Sequence, residues 1–160
     1  MKLLILIGQR RGEIAALEQS FITGDVCVLP SQLMKNRRTY AFPLGALAQS
    51  LLSPPTEFQS KFIFPARGKT SSCFNGWSKS KRQFDNSSGI TDWTLHDLRR
   101  TFATNLAQLG VAPHVIERLL NHVTGTISGV AAICNRAKYF DEMALAVQQW
   151  ESRLVEILNA

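Results

Sequence analysis

The chain has 160 residues, 45% of them hydrophobic and 19% charged, a balance that supports one domain with a buried core and excludes a disordered or fibrous chain. The net charge of +6 is unevenly carried, with 14 Lys/Arg against 7 Asp/Glu in residues 1–100 and 4 against 5 in the rest. A basic front with a near-neutral tail suits a polyanionic partner, nucleic acid before an anionic membrane surface.

In chain order, the first segment reads as the end of a helix broken at Gly8, followed by a second helix from about Arg11 to Leu17. The apolar run Leu3–Ile7 is too short for a membrane span and lacks a signal-peptide cleavage region, so no membrane partner is expected. A chain that starts inside an apolar run is expected to have something before it. Phe21-Ile22, Val26–Leu29 and Arg38–Phe42 have strand composition, with turn signals at Gly24-Asp25 and Lys35-Asn36. They predict a small antiparallel sheet whose hairpin tip carries Lys35, Arg37 and Arg38. Pro43-Leu44 is expected to open a short helix to about Leu52. Phe62–Pro65 reads as a buried extended piece, Arg67–Ser72 as a polar loop, and the basic stretch through Lys79, Lys81 and Arg82 as a helix. Asp85–Gly89 reads as a turn.

Leu95, Leu98, Phe102, Leu106 and Leu109 recur at spacings of three and four, so one stripe of a helix here faces the core. Thr94 and Asp97 resemble a capping pair, and Gly110 supplies the stop. His96 and Arg99 are three apart and therefore neighbours on the flank of that stripe. An imidazole beside a guanidinium is well suited to hold a phosphate, because Arg offers a planar fork and His a hydrogen bond or a proton. Pro113 then opens a second helix with Val115, Ile116, Leu119 and Leu120 inward and His122 at its end. After a Gly-containing connector (residues 124–129), Phe140, Met143, Val147, Trp150, Leu154 and Ile157 mark an amphipathic helix over residues 139–158. Trp77, Trp93 and Trp150 are expected to pack rather than to stack on bases.

These motifs together resemble the catalytic domain of the tyrosine recombinases, in particular temperate-phage-type integrases. Gly8-Gln9-Arg10-Arg11-Gly12-Glu13 is similar to the first arginine box, in which Arg10 matches the catalytic arginine and Glu13 a supporting carboxylate. Lys35 matches the hairpin lysine, His96-Asp97-Leu98-Arg99 the H-x-x-R box, and Leu119-Leu120-Asn121-His122 the L-L-G-H box with Asn in place of Gly. The resemblance implies a mostly α domain with a small antiparallel sheet near its start (α+β), acting on double-stranded DNA at attachment sites together with other protomers. It implies strand cleavage and rejoining through a covalent 3′-phosphoprotein, in which Arg10 and Arg99 clamp the non-bridging oxygens. Lys35 would protonate the leaving 5′-oxygen, His96 would assist proton transfer and His122 would hydrogen-bond a phosphate oxygen. Bond energy is conserved in the intermediate, so no nucleotide cofactor and no metal are expected. Arg37, Arg38, Lys79, Lys81 and Arg100 are further candidates for DNA contact. Residues 1–160 are read as a single catalytic domain, N-terminally truncated, without the core-binding and arm-binding domains of the family. The resemblance also implies that the 139–158 helix packs in trans on a neighbour.

The nucleophile departs from the family pattern. Where relatives place a tyrosine before an Asn-Arg pair, this chain reads Ile133-Cys134-Asn135-Arg136, which aligns Cys134 with the nucleophile; the nearest tyrosine is Tyr139. Tyr139 would have to swing in from about 7.5 Å along the helix and some 140° around it. Cys134 would have to attack as a thiolate. The third alternative, favoured here, is a domain that binds DNA without completing strand exchange. Two rivals come from other classes. A plain helix-turn-helix DNA binder would use Arg99–Gln108 and Pro113–Asn121 as its two helices, leaving Arg10 and Lys35 far from His96. A metal enzyme would recruit His96, His114, His122 and Cys134, though their spacings match no zinc pattern. Cys27, Cys73 and Cys134 lie far apart with no CxxC, which points to a reducing cytoplasm.

Overall fold

The computed structural model describes residues 1–52, 60–122 and 130–160, in backbone alone for 130–138. Helix α1 (Lys2–Ile7) buries Leu3, Leu4, Leu6 and Ile7, which is why its sequence is apolar on nearly every side. Gly8 ends it in the left-handed region at φ 62°. A Cβ on Gly8 would run into the ring of Phe102, so glycine supplies both the turn and the close approach of α1 to the later helix that carries Phe102. Helix α2 (Arg11–Ala15) follows directly.

Strands β1 (Ile22–Thr23), β2 (Val26–Leu29) and β3 (Tyr40–Pro43) form an antiparallel sheet in that order, with Cys27 opposite Phe42 and Leu29 opposite Tyr40. Cys27, Leu29 and Phe42 point inward while Val28 points out, the period of two that a one-sided sheet requires. Burial pushes the Cys27 thiol from its ordinary 9.0 up to about 12. The folded state therefore keeps a proton that the unfolded chain gives up. Stability is fully present below the ordinary thiol value and falls as pH rises toward the folded value, by up to ~1.4 kcal/mol per pH unit from this one group. In urea titrations above pH ~9, Cys27→Ala is expected to show a shallower alkaline decline than the parent chain. Equal slopes would mean that the thiol ionises freely in the fold.

Several elements correct the sequence expectations. Pro43 closes β3 instead of opening a helix, and α3 (Ala46–Ser50) begins after Gly45. Residues 67–72 are not a loop: β4 (Pro65–Ala66) and β5 (Lys69–Cys73) form a hairpin turned at Gly68. Lys69, Thr70 and Ser71 are all exposed, so β5 lacks the apolar alternation by which a strand is recognised. Of Phe62–Pro65, only Ile63 is fully buried. Helix α4 (Trp77–Ser88) runs through the predicted turn and ends at Gly89 in the left-handed region. Asp85 stays helical because Lys81 Nζ pairs with it at 2.7 Å and the indole N–H of Trp93 donates to it at 2.9 Å.

Helices α5 (Leu95–Gln108), α6 (Pro113–Leu119) and α7 (Val130–Asn159) complete the domain. The α5 stripe ends at Leu106, since Leu109 is exposed. Thr94 donates its N–H and its hydroxyl to Asp97, both at 2.8 Å. Those bonds, the hydroxyl first, hold the Asp97 carboxyl below its usual range. In α7, Met143, Ala146, Val147 and Trp150 are buried against α1, α5, α6 and β3 of the same chain, whereas Ile157 is exposed. Glu151 of this helix is buried despite its charge. It accepts the N–H groups of Leu47 and Ala48 at 2.9 Å each, capping α3 from across the fold. A Cβ on Gly45 would collide with that carboxylate, which fixes glycine at the start of α3.

Candidate functional site

Two adjoining cavities of about 510 and 380 Å³ share Arg10 as a common wall. The larger lies between Gln9, Arg10 and Arg11 at the start of α2, Trp77, Ser78 and Lys81 of α4, and Thr94, Leu95, His96 and Arg99 of α5. The smaller is lined by Arg10, Lys35, Asn36, Asn121 and His122. Arg10, Lys35, His96, Arg99 and His122 are thus brought around one cationic depression. The helix-turn-helix arrangement required the opposite: there Arg10 and Lys35 stand apart from His96, whereas here Arg10 borders both cavities.

Arg10 is held by Glu13. Its backbone N–H and its Nη1 each donate to the Glu13 carboxylate at 2.9 Å. Glu13 is itself buried while the Arg10 side chain stays 38% exposed. A buried carboxylate gripping the inner edge of the guanidinium leaves its outer edge turned to the cavity.

Arg99 lies deeper than the flank of the apolar stripe where its spacing put it; it is 4% exposed. The reason is non-local. Nη1 donates to the carbonyl of Gly8 at 2.7 Å, and Nη2 donates to the carbonyl of Leu120 and meets Nε2 of His122 at 3.0 Å. Those carbonyls end α1 and α6, where backbone acceptors lack helical partners, and a forked donor satisfies both at once. Burial, and then repulsion from Arg10, lowers the Arg99 pKa from its ordinary value; a guanidinium stays charged nonetheless. His122 is half-exposed, and its Nδ1 lies 3.1 Å from Oε2 of Glu117. Asn121, in the place of the family glycine, takes φ 48°. Asparagine is the residue after glycine that tolerates this left-handed turn, so the substitution preserves the bend that delivers His122.

The remaining candidates are spread more widely. Lys35, Arg37 and Arg38 are exposed on the β2–β3 connection, and Lys79 is exposed on α4. Lys81 is fixed between Asp85 and the face of Trp93, 4.8 Å from the ring centre, at the wall of the larger cavity. Arg100 pairs with Asp97 at 3.2 Å on the exterior of α5. The Cys134 side chain lies outside the described residues, although its backbone belongs to α7. Tyr139 lines neither cavity; its ring lies 3.7 Å from the Arg118 guanidinium and 5.5 Å from the His114 ring. His114 also faces Glu142 at 3.3 Å, well placed for a surface contact of α6 with α7. Among the described residues no three His, Cys, Asp or Glu side chains are placed to hold a metal ion, and no helix is long and apolar enough to cross a membrane.

Three polar residues of the site were missed from sequence. Gln9 is 2% exposed and donates through Nε2 to the carbonyls of Ile7 and Leu119 at 3.1 and 2.7 Å. The Tyr40 hydroxyl points at the carbonyls of Arg118 and Leu119, at 2.9 and 2.8 Å, and burial raises its pKa far above the ordinary phenol value. Glu117 was not singled out beside His122. The signal available was the accounting of helix ends: α6 terminates inside the fold, so donors for its last carbonyls had to come from somewhere.

The sequence profile of the family described as "Phage integrase family" matches residues 1–129. The chain is 31% identical over 125 residues to the prophage integrase IntA of Escherichia coli (strain K12), an alignment that covers 76% of this chain and 29% of that protein. Among solved structures, the integrase from mycobacterium phage Brujita superposes with a TM-score of 0.61 at 19% identity, over 88% of this chain and 50% of that one. The XerH site-specific recombinase bound to difH substrate gives 0.59 at 18% identity, over 88% and 40%. XerA recombinase gives 0.59 at 19%, over 85% and 54%. The fold is common to all three, and this chain spans from 29% of the curated relative to 54% of the structural ones.

Proposed function

The chain belongs to the phage integrase family, and we propose that it is a catalytic domain for site-specific recombination that holds a DNA phosphodiester at Arg10, Arg99 and His122. The observation that carries this reading is the meeting of five cationic or proton-bearing side chains from four separate stretches of sequence around Arg10. Ordinary solvated cations on a basic surface have no reason to converge, since like charges repel.

In this reading a phosphodiester enters where the two cavities join. Arg10 and Arg99 face its non-bridging oxygens, which gain negative charge as the phosphorus is attacked, and a prepositioned guanidinium needs no reorganisation at that moment. Lys35, which lines the smaller cavity, gives its proton to the departing 5′-oxygen. His96 assists proton transfer and His122 donates to a phosphate oxygen. Arg37, Arg38, Lys79, Lys81 and Arg100 bind flanking phosphates, which set orientation and salt dependence but not sequence. Other protomers assemble on the same attachment site, inside the cytoplasm. XerH is described as bound to its difH substrate and the Tn1549 transposon integrase as in complex with circular intermediate DNA, and a DNA partner is carried over here as part of the proposal.

The nucleophile decides whether the domain completes the reaction. Tyr139 stacked on Arg118 is occupied away from the cavities, and Cys134 stands at the aligned position. The chain is therefore proposed to bind and polarise the phosphodiester without breaking it. Covalent trapping on nicked suicide duplexes cut from the DNA flanking its gene tests this. An adduct is expected from Cys134→Tyr and from neither the unmodified chain nor Cys134→Ala. An adduct of the unmodified chain that Tyr139→Phe abolishes would make it a working recombinase using Tyr139, and one lost only in Cys134→Ala would establish a thiol nucleophile. Failure of every form both to react and to retain the duplex would sink the DNA reading.

A further inference from the structure

The contact between Arg99 and His122 constrains the tautomer of the ring. Arg99 Nη2 carries two N–H bonds and no lone pair; one points to the carbonyl of Leu120 and the other to Nε2 of His122, 3.0 Å away. For this contact to be a hydrogen bond Nε2 has to accept, which puts the ring proton on Nδ1. That proton is directed at Oε2 of Glu117, 3.1 Å away. Glu117 lies on α6 five residues before His122, and the backbone N–H of His122 also donates to the Glu117 carbonyl, at 2.8 Å. The ring is thus fastened at both ends, and its cavity-facing nitrogen is turned to a cation instead of a ligand.

From this arrangement we propose that Glu117 is a positioning residue for His122, and that an oxyanion entering between Arg99 and His122 is bound with uptake of one proton. The inference rests on the phosphodiester reading above for the identity of the natural anion. An oxygen inserted there takes the Nη2 N–H bond that His122 had accepted. Nε2 is released, gains a proton from solvent and donates it as a hydrogen bond to the same oxygen; no other bond is made or broken. The imidazolium so formed is faced by Glu117 from its own helix, by Arg99 from α5, and by Arg10 and Lys35 across the smaller cavity. Of these only Glu117 carries a negative charge. It is the group that makes a second proton on His122 tolerable beside three cations, and the anion supplies the rest of the compensation. A site that must not be permanently overcharged gains from this: the fourth positive charge is assembled only when the ligand is there to meet it.

Imidazole nitrogen NMR on the chain as it stands reads the tautomer directly, with His122→Gln identifying the His122 signals. Sulfate serves as the probe, since it keeps its charge across the range where histidine titrates. The free chain at mildly alkaline pH is expected to show His122 in the Nδ1–H form, and saturating sulfate to convert it to the doubly protonated form. Glu117→Gln, whose side-chain oxygen can still accept from Nδ1, is expected to keep the tautomer but to weaken sulfate binding about threefold, the size of a solvent-screened charge pair. Glu117→Ala is expected to mix the two tautomers as well. An Nε2–H tautomer in the free chain overturns the proposal. So does sulfate bound with His122 left neutral, or a tautomer and sulfate response that neither Glu117 variant changes. None of these readings needs DNA or a nucleophile, so their failure is distinguishable from failure of the trapping experiment.

Discussion

Trp150→Ala is expected to lower the free energy of unfolding by about 3–5 kcal/mol, the range for removing a large buried aromatic side chain. Trp150 is 1% exposed, meets the fully buried Phe102 edge-on with 6.2 Å between ring centres, and donates its indole N–H to the carbonyl of Ile5 at 2.9 Å. Ile5 is in the last turn of α1, where a carbonyl has no helical partner, so the indole satisfies an acceptor that the helix itself leaves open. The substitution thus opens a cavity and orphans a backbone group at the junction of α1, α5 and α7. Trp150→Phe separates the two effects: it keeps most of the packing and should cost about 1–3 kcal/mol from the lost hydrogen bond and residual void. Urea denaturation followed by far-ultraviolet circular dichroism measures both. A loss under about 1 kcal/mol for Trp150→Ala would mean that α7 is not an integral part of the core. The same titration addresses exchange of the helix between copies. Contacts made within one chain give a midpoint independent of protein concentration, whereas a helix supplied by a neighbour makes the midpoint rise with concentration.

The contrast between what could and could not be read from sequence follows from the range of the interactions. The α5 helix was legible because its determinants are local: the Thr94–Asp97 cap and an apolar stripe at helical spacing. Asn121 was legible as a stand-in for glycine, because a left-handed turn accepts either. The end of α4 was misread since Asp85-Asn86-Ser87-Ser88 has turn composition, whereas Lys81 and Trp93, from four residues before and eight after, hold the Asp85 side chain against the helix. β5 was missed because an exposed two-stranded ribbon needs no apolar alternation. The deeper failures concern burial of charge. Arg99 and Glu151 carry charges that local sequence gives no reason to bury, and both are buried because they satisfy helix ends that arrive from far along the chain: the carbonyls of Gly8 and Leu120 for one, the N–H groups of Leu47 and Ala48 for the other. No window around Arg99 contains its acceptors. The motif identified the residue, and tertiary structure alone assigned its partners.

That burial leads to the second large effect. Arg99→Met, similar in length and able to fill the space, is expected to destabilise the fold by about 2–5 kcal/mol, because it leaves the carbonyls of Gly8 and Leu120 buried without donors at about 1–3 kcal/mol each. Arg99→Lys retains the charge, but an ammonium is a compact point and not a planar fork. It can reach one carbonyl or the other, so it should recover about half of that loss while leaving His122 without the N–H donor that fixes its tautomer. The two variants therefore separate charge from geometry. Retention of duplex by Arg99→Lys should keep most of its salt dependence, since the number of phosphate-facing cations is unchanged. Its His122 should nevertheless become a mixture of tautomers, and a Cys134→Tyr form carrying it should lose covalent trapping by about 10²-fold or more, the scale seen when one prepositioned donor is removed from a site of developing negative charge. Stability, duplex retention and imidazole signals measured on the same samples decide the matter. An Arg99→Lys chain that folds as the parent does and keeps His122 in the Nδ1–H form would show that positive charge alone organises this site, and that the fork of the guanidinium is incidental to it.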